Sequence, residues 1–203
     1  MIRRSVVAGL LALVVLGGCG LPSDDAPQTI APENVPPDLL DPNPGSSTTL
    51  PESAGTTTVT VYLLEETSDG VRLTPVEREV TDASTPDERL RTLFSNGASP
   101  EELEAGIRSD IPADTVLMDV TTNRGTNEVV IDLSDDIFAI EGEALAQAFA
   151  QMVWTATEPD AGGYRFVRFL VEGEPTPVPD DELAEQEGAV TRASYSSYSP
   201  PQP

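Results

Sequence analysis

Hydrophobic and polar positions divide the chain into three parts. An apolar run from Val6 to Leu16 comes first, and residues 20–56 are rich in Pro, Ser, Thr, Asp, Asn and Glu. Regular apolar periodicity begins only at Thr57. A polar, proline-rich segment cannot bury enough apolar surface to offset the entropy lost on ordering. The pattern therefore predicts a disordered acidic tether, one folded domain over residues 57–198, and a short disordered tail over residues 199–203.

Alternating apolar residues predict two hairpins. The first joins Thr57–Leu64 to Val71–Val80, and Pro75 either bends its second strand or confines that strand to a sheet edge. The second joins Val116–Thr121 to Glu128–Leu133 through a loop whose glycine permits a positive φ. The inward-facing residues of the second hairpin are expected to be Val116, Met118 and Val120 on one strand and Val129, Ile131 and Leu133 on the other.

Helical patterns appear in three places. Thr85-Pro86 matches an N-cap followed by proline in the first turn, and Asn96-Gly97 ends that helix. Ser99-Pro100 starts a shorter helix that is expected to turn Leu103 inward, before an irregular link from Gly106 to Pro112. The longest pattern, Glu143–Thr155, carries one apolar stripe. The residues of this stripe are Leu145, Ala148, Phe149, Met152 and Val153.

One further strand, Tyr164–Val171, has apolar residues on both faces and is predicted to be central in its sheet. The predicted order is then strand, strand, helix, strand, strand, helix, strand. This order indicates an α/β (α+β) domain with a small sheet of about five strands and two main helices packed on one side.

The first 19 residues match an export signal. Arg3 and Arg4 precede the eleven apolar residues, and Leu16-Gly17-Gly18-Cys19 closes the run. Eleven residues are too few to span a bilayer, which takes about 20. The closing segment resembles the bacterial lipobox, which implies removal of residues 1–18 and lipidation of Cys19, the only cysteine. An ordinary secretory peptide or an uncleaved anchor is the alternative.

Charge and composition exclude several function classes. The chain has 35 acidic residues and 11 basic ones, a net charge of −24, which disfavours nucleic acid and anionic surfaces as partners. It has no histidine, and with Cys19 committed to lipid no Ser-His, Cys-His or zinc arrangement can be built. No cofactor or metal is expected, although carboxylates leave glycosidase chemistry and calcium binding open.

Two polar groups are candidate sites. Asp132, Asp135 and Asp136 follow a strand end and could offer oxygen ligands to calcium, but their spacing does not match an EF-hand loop. Asp135 and Asp136 are more simply charges near a helix start. Arg108 and Asp110 could form a recognition loop. A structural role is favoured for them, with Ile107 and Ile111 fixing the link to the core and the polar side chains pointing outward.

Three further features have a structural and a functional interpretation. Trp154 is expected in the core, with an interface anchor as the alternative. Arg165 and Arg168 lie on opposite sides of an apolar strand, and at least one needs a carboxylate partner if it is buried. Tyr195-Ser196-Ser197-Tyr198 could stack on sugars or on a protein partner, or form a strand-like tail across the domain.

Together these segments resemble the GerMN domain of sporulation and germination lipoproteins. The segments that carry the resemblance are Val59–Leu63, Gly106–Pro112, Val130–Ser134, Gln151–Thr155, Val171–Gly173 and Thr191–Tyr195. The resemblance implies a compact ring-building-type domain that is not known as a catalytic fold, so no catalytic residues carry over. It points to an actinobacterial type, as a single domain without a propeller.

The expected function follows from these features. We expect a non-enzymatic envelope lipoprotein, held by Cys19 at the extracytoplasmic face of the cell membrane, whose domain binds a protein partner or itself. Nucleic acid is not an expected partner, whereas peptidoglycan could lie close by. The alternative is a cell-wall glycan binder or a carboxylate-based wall-polymer hydrolase, which would need two carboxylates about 5–10 Å apart in an aromatic-lined cleft.

Overall fold

The structure of the protein is a computed structural model, which describes residues 56–81 and 85–201. The predicted export signal, the lipidation at Cys19 and most of the predicted tether lie outside the described residues. No helix in the described part of the chain is long and apolar enough to cross a membrane. The predicted α+β class is confirmed, with the strands distributed over several sheets.

The first sheet has three strands in the order β2-β1-β3, all antiparallel: β1 (Thr57–Thr67), β2 (Gly70–Val80) and β3 (Ile107–Arg108). Gly70 has φ +125°, which the tight turn between β1 and β2 requires. Pro75, on β2, lies opposite Tyr62 of β1. Strand β2 is an edge strand of this sheet, as the proline predicts. The link that begins at Gly106 is not wholly irregular, because it contributes β3.

The second sheet has the order β10-β6-β5-β4, with β7 also pairing with β6. Its strands are β4 (Leu117–Asn123), β5 (Glu128–Leu133), β6 (Phe166–Val171), β7 (Glu174–Pro175) and β10 (Ala189–Val190). Strands β5 and β6 are parallel, and the other pairs are antiparallel. The predicted central position of β6 is confirmed. Two more short strands, β8 (Val178–Pro179) and β9 (Glu185–Gln186), pair with each other.

The predicted inward face of β5 is confirmed, and that of β4 is partly wrong. Val129, Ile131 and Leu133 are fully buried. Val116 and Met118 are instead 56% and 47% exposed. The register between β4 and β5 shifts between Leu117 and Asp119. Because of this bulge, Leu117 packs against the core, whereas Val116 and Met118 do not.

The helices begin where the sequence predicts. In α1 (Pro86–Ser95) the Thr85 hydroxyl accepts a hydrogen bond from the Glu88 amide, and in α2 (Pro100–Glu104) Ser99 and Glu102 form a capping box. The prediction that Leu103 turns inward is wrong, since Leu103 is 57% exposed. No residue of α2 is buried, so this short helix lies on the surface, where a Glu102–Arg78 ion pair of 2.7 Å holds it to β2.

The core forms around α3 (Gly142–Ala156), which packs against α1 and β1. The predicted stripe is buried from Ala148 to Val153, and Phe149 meets Phe169 of β6 edge to face at 4.6 Å between ring centroids. Short 3-10 helices complete the described elements, at Asp135–Ala139, Pro159–Ala161 and Arg192–Tyr198. Strands of both larger sheets and the two longer helices therefore share one hydrophobic core.

Candidate functional site

Gln151, on the buried face of α3, links this helix to β1 and to the segment Gly106–Pro112. Its side-chain amide nitrogen donates to the backbone oxygen of Tyr62 at 3.3 Å, and its side-chain oxygen accepts from the Asp110 amide at 2.9 Å. The Ser109 hydroxyl also lies within 3.4 Å of the Gln151 side-chain amide. Because Gln151 is completely buried, these bonds satisfy backbone groups that water cannot reach.

Arg108 and Asp110 have a structural role, as favoured from the sequence. Arg108 Nε lies 2.9 Å from Asp110 Oδ1, and its Nη2 donates to Gln147 Oε1 at 3.3 Å. Ile107 and Ile111 are partly buried and pack against the core. The expectation that the polar side chains point outward needs correction, because Arg108 reaches inward to α3.

Arg192, at the start of the last 3-10 helix, forms a second polar cluster. It donates to Glu158 Oε2 at 2.7 Å, to the Trp154 backbone oxygen at 2.8 Å and to Thr157 Oγ1 at 2.9 Å. Its guanidinium carbon also lies 4.3 Å from the Trp154 ring centroid. These contacts hold the C-terminal segment against the end of α3.

Tyr62 completes the Arg192 cluster from β1. Its hydroxyl donates to Glu158 Oε2 at 2.7 Å, and its ring meets that of Trp154 edge to face at 5.5 Å. Burial, together with this hydrogen bond to Glu158, raises the pKa of Tyr62 from 10.0 to about 12. Trp154 packs against the core, which confirms the structural interpretation of this residue.

The segment that contains Tyr195 and Tyr198 is neither a sugar-stacking surface nor a strand-like tail. Both rings are buried in the 3-10 helix Arg192–Tyr198. The Tyr195 hydroxyl donates to the Pro179 backbone oxygen at 3.0 Å, and burial raises the pKa of both tyrosines. Tyr195 and Tyr198 therefore anchor the end of the chain to the core.

Two of the three aspartates considered as calcium ligands accept hydrogen bonds from neighbouring groups of the protein. Asp132 Oδ1 accepts from the Gly173 amide at 3.0 Å, and Asp136 Oδ2 accepts from the Ser134 hydroxyl at 3.0 Å. Asp135 and Asp136 lie in the first turn of a 3-10 helix. Within residues 56–81 and 85–201, no group of three or more His, Cys, Asp or Glu is arranged to hold a metal ion.

The two arginines near β6 differ in their surroundings. Arg168 forms an ion pair of 2.8 Å with Glu128 of β5, which confirms a structural ion pair on this strand. Arg165 is exposed. It lines a groove of about 530 Å³ at the start of β6, which we call the β6 groove. The lining residues are Thr157, Pro159, Gly163, Tyr164, Arg165, Phe166, Thr191, Arg192 and Ala193.

A second depression, of about 500 Å³, contains two carboxylates and one face of Tyr164. Asp160 accepts a hydrogen bond of 2.6 Å from Arg89, a buried residue that also donates to the Thr60 backbone oxygen at 2.9 Å. Asp87 pairs with Arg91 at 3.0 Å. Both carboxylates thus have arginine partners.

A family model, described as "Germane: Sporulation and spore germination", matches residues 60–177, more than half of the chain. The chain belongs to the GerMN family. The predicted resemblance is therefore confirmed, whereas the actinobacterial type remains a prediction. The search among curated proteins gives no match.

Two solved GerMN structures share the fold. One contains the tandem GerMN domains of the sporulation protein GerM from Bacillus subtilis, with 24% identity and a TM-score of 0.50, covering 73% of this chain and 49% of that one. The other is the first GerMN domain of the same protein, with 16% identity and a TM-score of 0.51, covering 68% and 99% respectively. The chain thus spans about half the length of the tandem structure.

Two of the segments that carry the GerMN resemblance meet at Gln151. The segment Gly106–Pro112 contains Asp110, whose amide Gln151 binds, and the segment Val59–Leu63 contains the Tyr62 carbonyl that accepts from Gln151. The sequence gives little indication of this role, because a glutamine within an amphipathic helix is usually solvated. In this GerMN domain the matching segments therefore hold the fold together.

Proposed function

We propose that this protein is a non-enzymatic envelope lipoprotein, anchored by lipid at Cys19 to the extracytoplasmic face of the cell membrane, whose GerMN domain binds a protein partner or a second copy of itself. Membership of the GerMN family supports an interaction role. The lipobox-like segment that ends at Cys19 supports the anchor, and the polar residues 20–56 would hold the domain away from the membrane.

One observation carries the interaction role: β4 is an edge strand with no neighbour on its outer side among the described residues, and exposed apolar side chains lie at its start. Val116, just before β4, and Met118 within it are exposed, and Phe138, in the 3-10 helix that follows β5, is 46% exposed. An exposed strand edge offers main-chain hydrogen bonds, and adjacent apolar side chains add buried area when another chain pairs with it.

An edge strand of the first sheet provides a contrast. Strand β2 is also an edge, but it contains Pro75 and alternating charges at Glu77, Arg78 and Glu79. Proline and charged side chains are the usual means by which an edge strand is kept from pairing. Strand β4 has no proline and one charged residue, Asp119, so it is less protected against pairing than β2.

Site-specific crosslinking in intact cells tests the interaction role. A photo-crosslinking residue at Met118 should give covalent adducts with a second protein or a second copy, identified by mass spectrometry. The matched control places the same residue at Glu77, which is exposed on the protected edge, and should give few adducts. Recovery of only the monomer from both positions would contradict the proposal.

Fractionation tests the anchor separately. Cys19→Ser should move the protein from the membrane fraction to the soluble fraction, because the thiol that accepts the lipid is gone. An unchanged membrane fraction would rule out anchoring through this cysteine.

A further inference from the structure

The β6 groove exists because one strand leaves the sheet early. Strand β10 pairs with β6 only as far as Val190, which lies opposite Val167. Thr191 then caps a 3-10 helix, its hydroxyl accepting from the Ala193 amide at 3.2 Å, and the chain turns away. The amides of Arg165 and Phe166 both donate to Asn127, on the β5 side. On the side away from β5, Arg165 and Phe166 have no paired strand among the described residues and line the groove.

The groove is locally basic in a strongly acidic chain. Two arginines and no carboxylate line it, although the chain has 35 acidic residues. Arg192 forms an ion pair with Glu158. Arg165 forms no ion pair with any carboxylate in the described part of the chain. Arg124, 5.8 Å from the Tyr164 ring centroid, lines the second depression and not this groove.

The groove also offers an apolar surface. Phe166 is 42% exposed, and Pro159 and the largely buried Tyr164 line the groove beside it. A volume of about 530 Å³ lies within the range of about 300–1,000 Å³ that is typical of ligand pockets. A ligand that combines a carboxylate with an apolar side chain would match both Arg165 and Phe166.

We propose that the β6 groove binds an acidic peptide segment of a protein partner, with a carboxylate at Arg165 and an apolar side chain on Phe166. This assignment rests on the proposed interaction role and adds a site and a ligand chemistry to it. A single guanidinium beside an aromatic surface suits a carboxylate next to an apolar group. A phosphate polymer would need several cations, whereas only two arginines line the groove and one of them, Arg192, is paired with Glu158.

A peptide-binding measurement tests the assignment. The full chain is held in phosphatidylcholine nanodiscs and titrated into the peptide Asp-Glu-Leu-Phe-Glu-Asp carrying a neutral coumarin label, with fluorescence anisotropy as the readout. We expect saturable binding, and binding about two- to fivefold weaker for the matched peptide Asn-Gln-Leu-Phe-Gln-Asn, because its amides cannot form the ion pair with Arg165. Equal binding of both peptides, or binding of neither, would overturn the proposal.

Variants locate the binding site. Arg165→Gln should weaken acidic-peptide binding about two- to fivefold, the range measured for exposed charge pairs, and Phe166→Ser should weaken binding of both peptides. The control, Arg72→Gln, removes the same charge from a partly exposed arginine that pairs with Glu65 on the other sheet, and should change nothing. The thermal midpoint of Arg165→Gln should equal that of the parent chain, because the side chain is exposed.

Two other occupants give distinct results. Binding of inorganic polyphosphate without binding of the acidic peptide would overturn the assignment. A dimer in sedimentation that Arg165→Gln disperses would show that the groove holds a second copy, and would also overturn it. If adducts still form from Met118 while the peptide fails to bind, only the groove assignment is wrong and the interaction role stands.

Discussion

Replacing Gln151 by alanine should destabilise the domain severely without touching its surface. The change removes the donor to the Tyr62 carbonyl and the acceptor from the Asp110 amide, both of which lie against α3. A buried polar group left without a partner costs about 1–3 kcal/mol. With two such groups, we expect the free energy of unfolding to fall by about 2–5 kcal/mol.

Chemical and thermal unfolding measure this change directly. Trp154 is the only tryptophan and packs against the core beside Arg192, so its fluorescence reports on the relevant region. For a domain of this size, 1 kcal/mol corresponds to a shift of about 3–4 °C in the unfolding midpoint. The expected shift for Gln151→Ala is therefore about 6–20 °C.

Two comparisons separate lost hydrogen bonds from lost volume. Gln151→Met keeps most of the side-chain volume but supplies no donor, and it should remain destabilised by more than 1 kcal/mol because the same two backbone groups lose their partner. Gln147→Ala, one helical turn away, removes bonds to the side chains of Arg108, Glu143 and Tyr198, and should cost less because no backbone group loses its partner. If Gln151→Ala cost under about 0.5 kcal/mol, the role assigned to Gln151 would be refuted.

Two further predictions concern titration and a buried charge. Because the folded pKa of Tyr62 is about 12 against 10.0 for the unperturbed group, the native state holds this proton more tightly, so the stability it contributes is present below pH 10 and is lost as the pH rises through 12. Tyr62→Phe should make the fall in unfolding free energy over this window shallower, and an identical slope in urea unfolding would contradict the assignment. Asp160→Asn should cost about 2–3 kcal/mol in urea unfolding, because it leaves the buried Arg89 without its counter-charge. The control Asp87→Asn breaks an exposed i,i+4 pair and should cost about 0.5 kcal/mol, so equal losses would argue against the role assigned to the Arg89–Asp160 pair.

Elements with strong local patterns could be predicted from the sequence. The hairpin of β1 and β2 follows from alternation and from Gly70, and α1 follows from Thr85 and its proline. The stripe on α3 is long enough to fix which face is buried. In each case the information lies within about 15 neighbouring residues, where periodicity and capping act.

Elements that depend on distant pairing could not be predicted in this way. Strand β3 has two residues and exists because Arg108 lies opposite Leu64, and β10 exists because Val190 lies opposite Val167. Two residues cannot show a period. The bulge in β4 has the same origin, since only pairing with β5 reveals that Leu117 replaces Met118 at the core.

The candidate site divides in the same manner. A structural role for Arg108 and an ion pair for Arg168 could be predicted, because a charge in an apolar strand or link needs a partner. The roles of Gln151 and Arg192 could not, since each binds groups from segments more than 30 positions away. The β6 groove could not be predicted either, because it forms where β10 stops pairing with β6.

The distribution of arginines bears on whether the β6 groove has a function. The described residues include nine arginines, and seven of them form ion pairs: Arg72, Arg78, Arg89, Arg91, Arg108, Arg168 and Arg192. In a chain with 35 acidic residues a carboxylate partner is easily supplied, and most arginines take one. Arg165 lacks such a partner within the described range, and it stands beside an exposed phenylalanine in a groove without carboxylates. Arg124 also has no ion pair in that range, but it lies 5.8 Å from the Tyr164 ring centroid, so Arg165 is the arginine to which an acidic ligand would supply a partner.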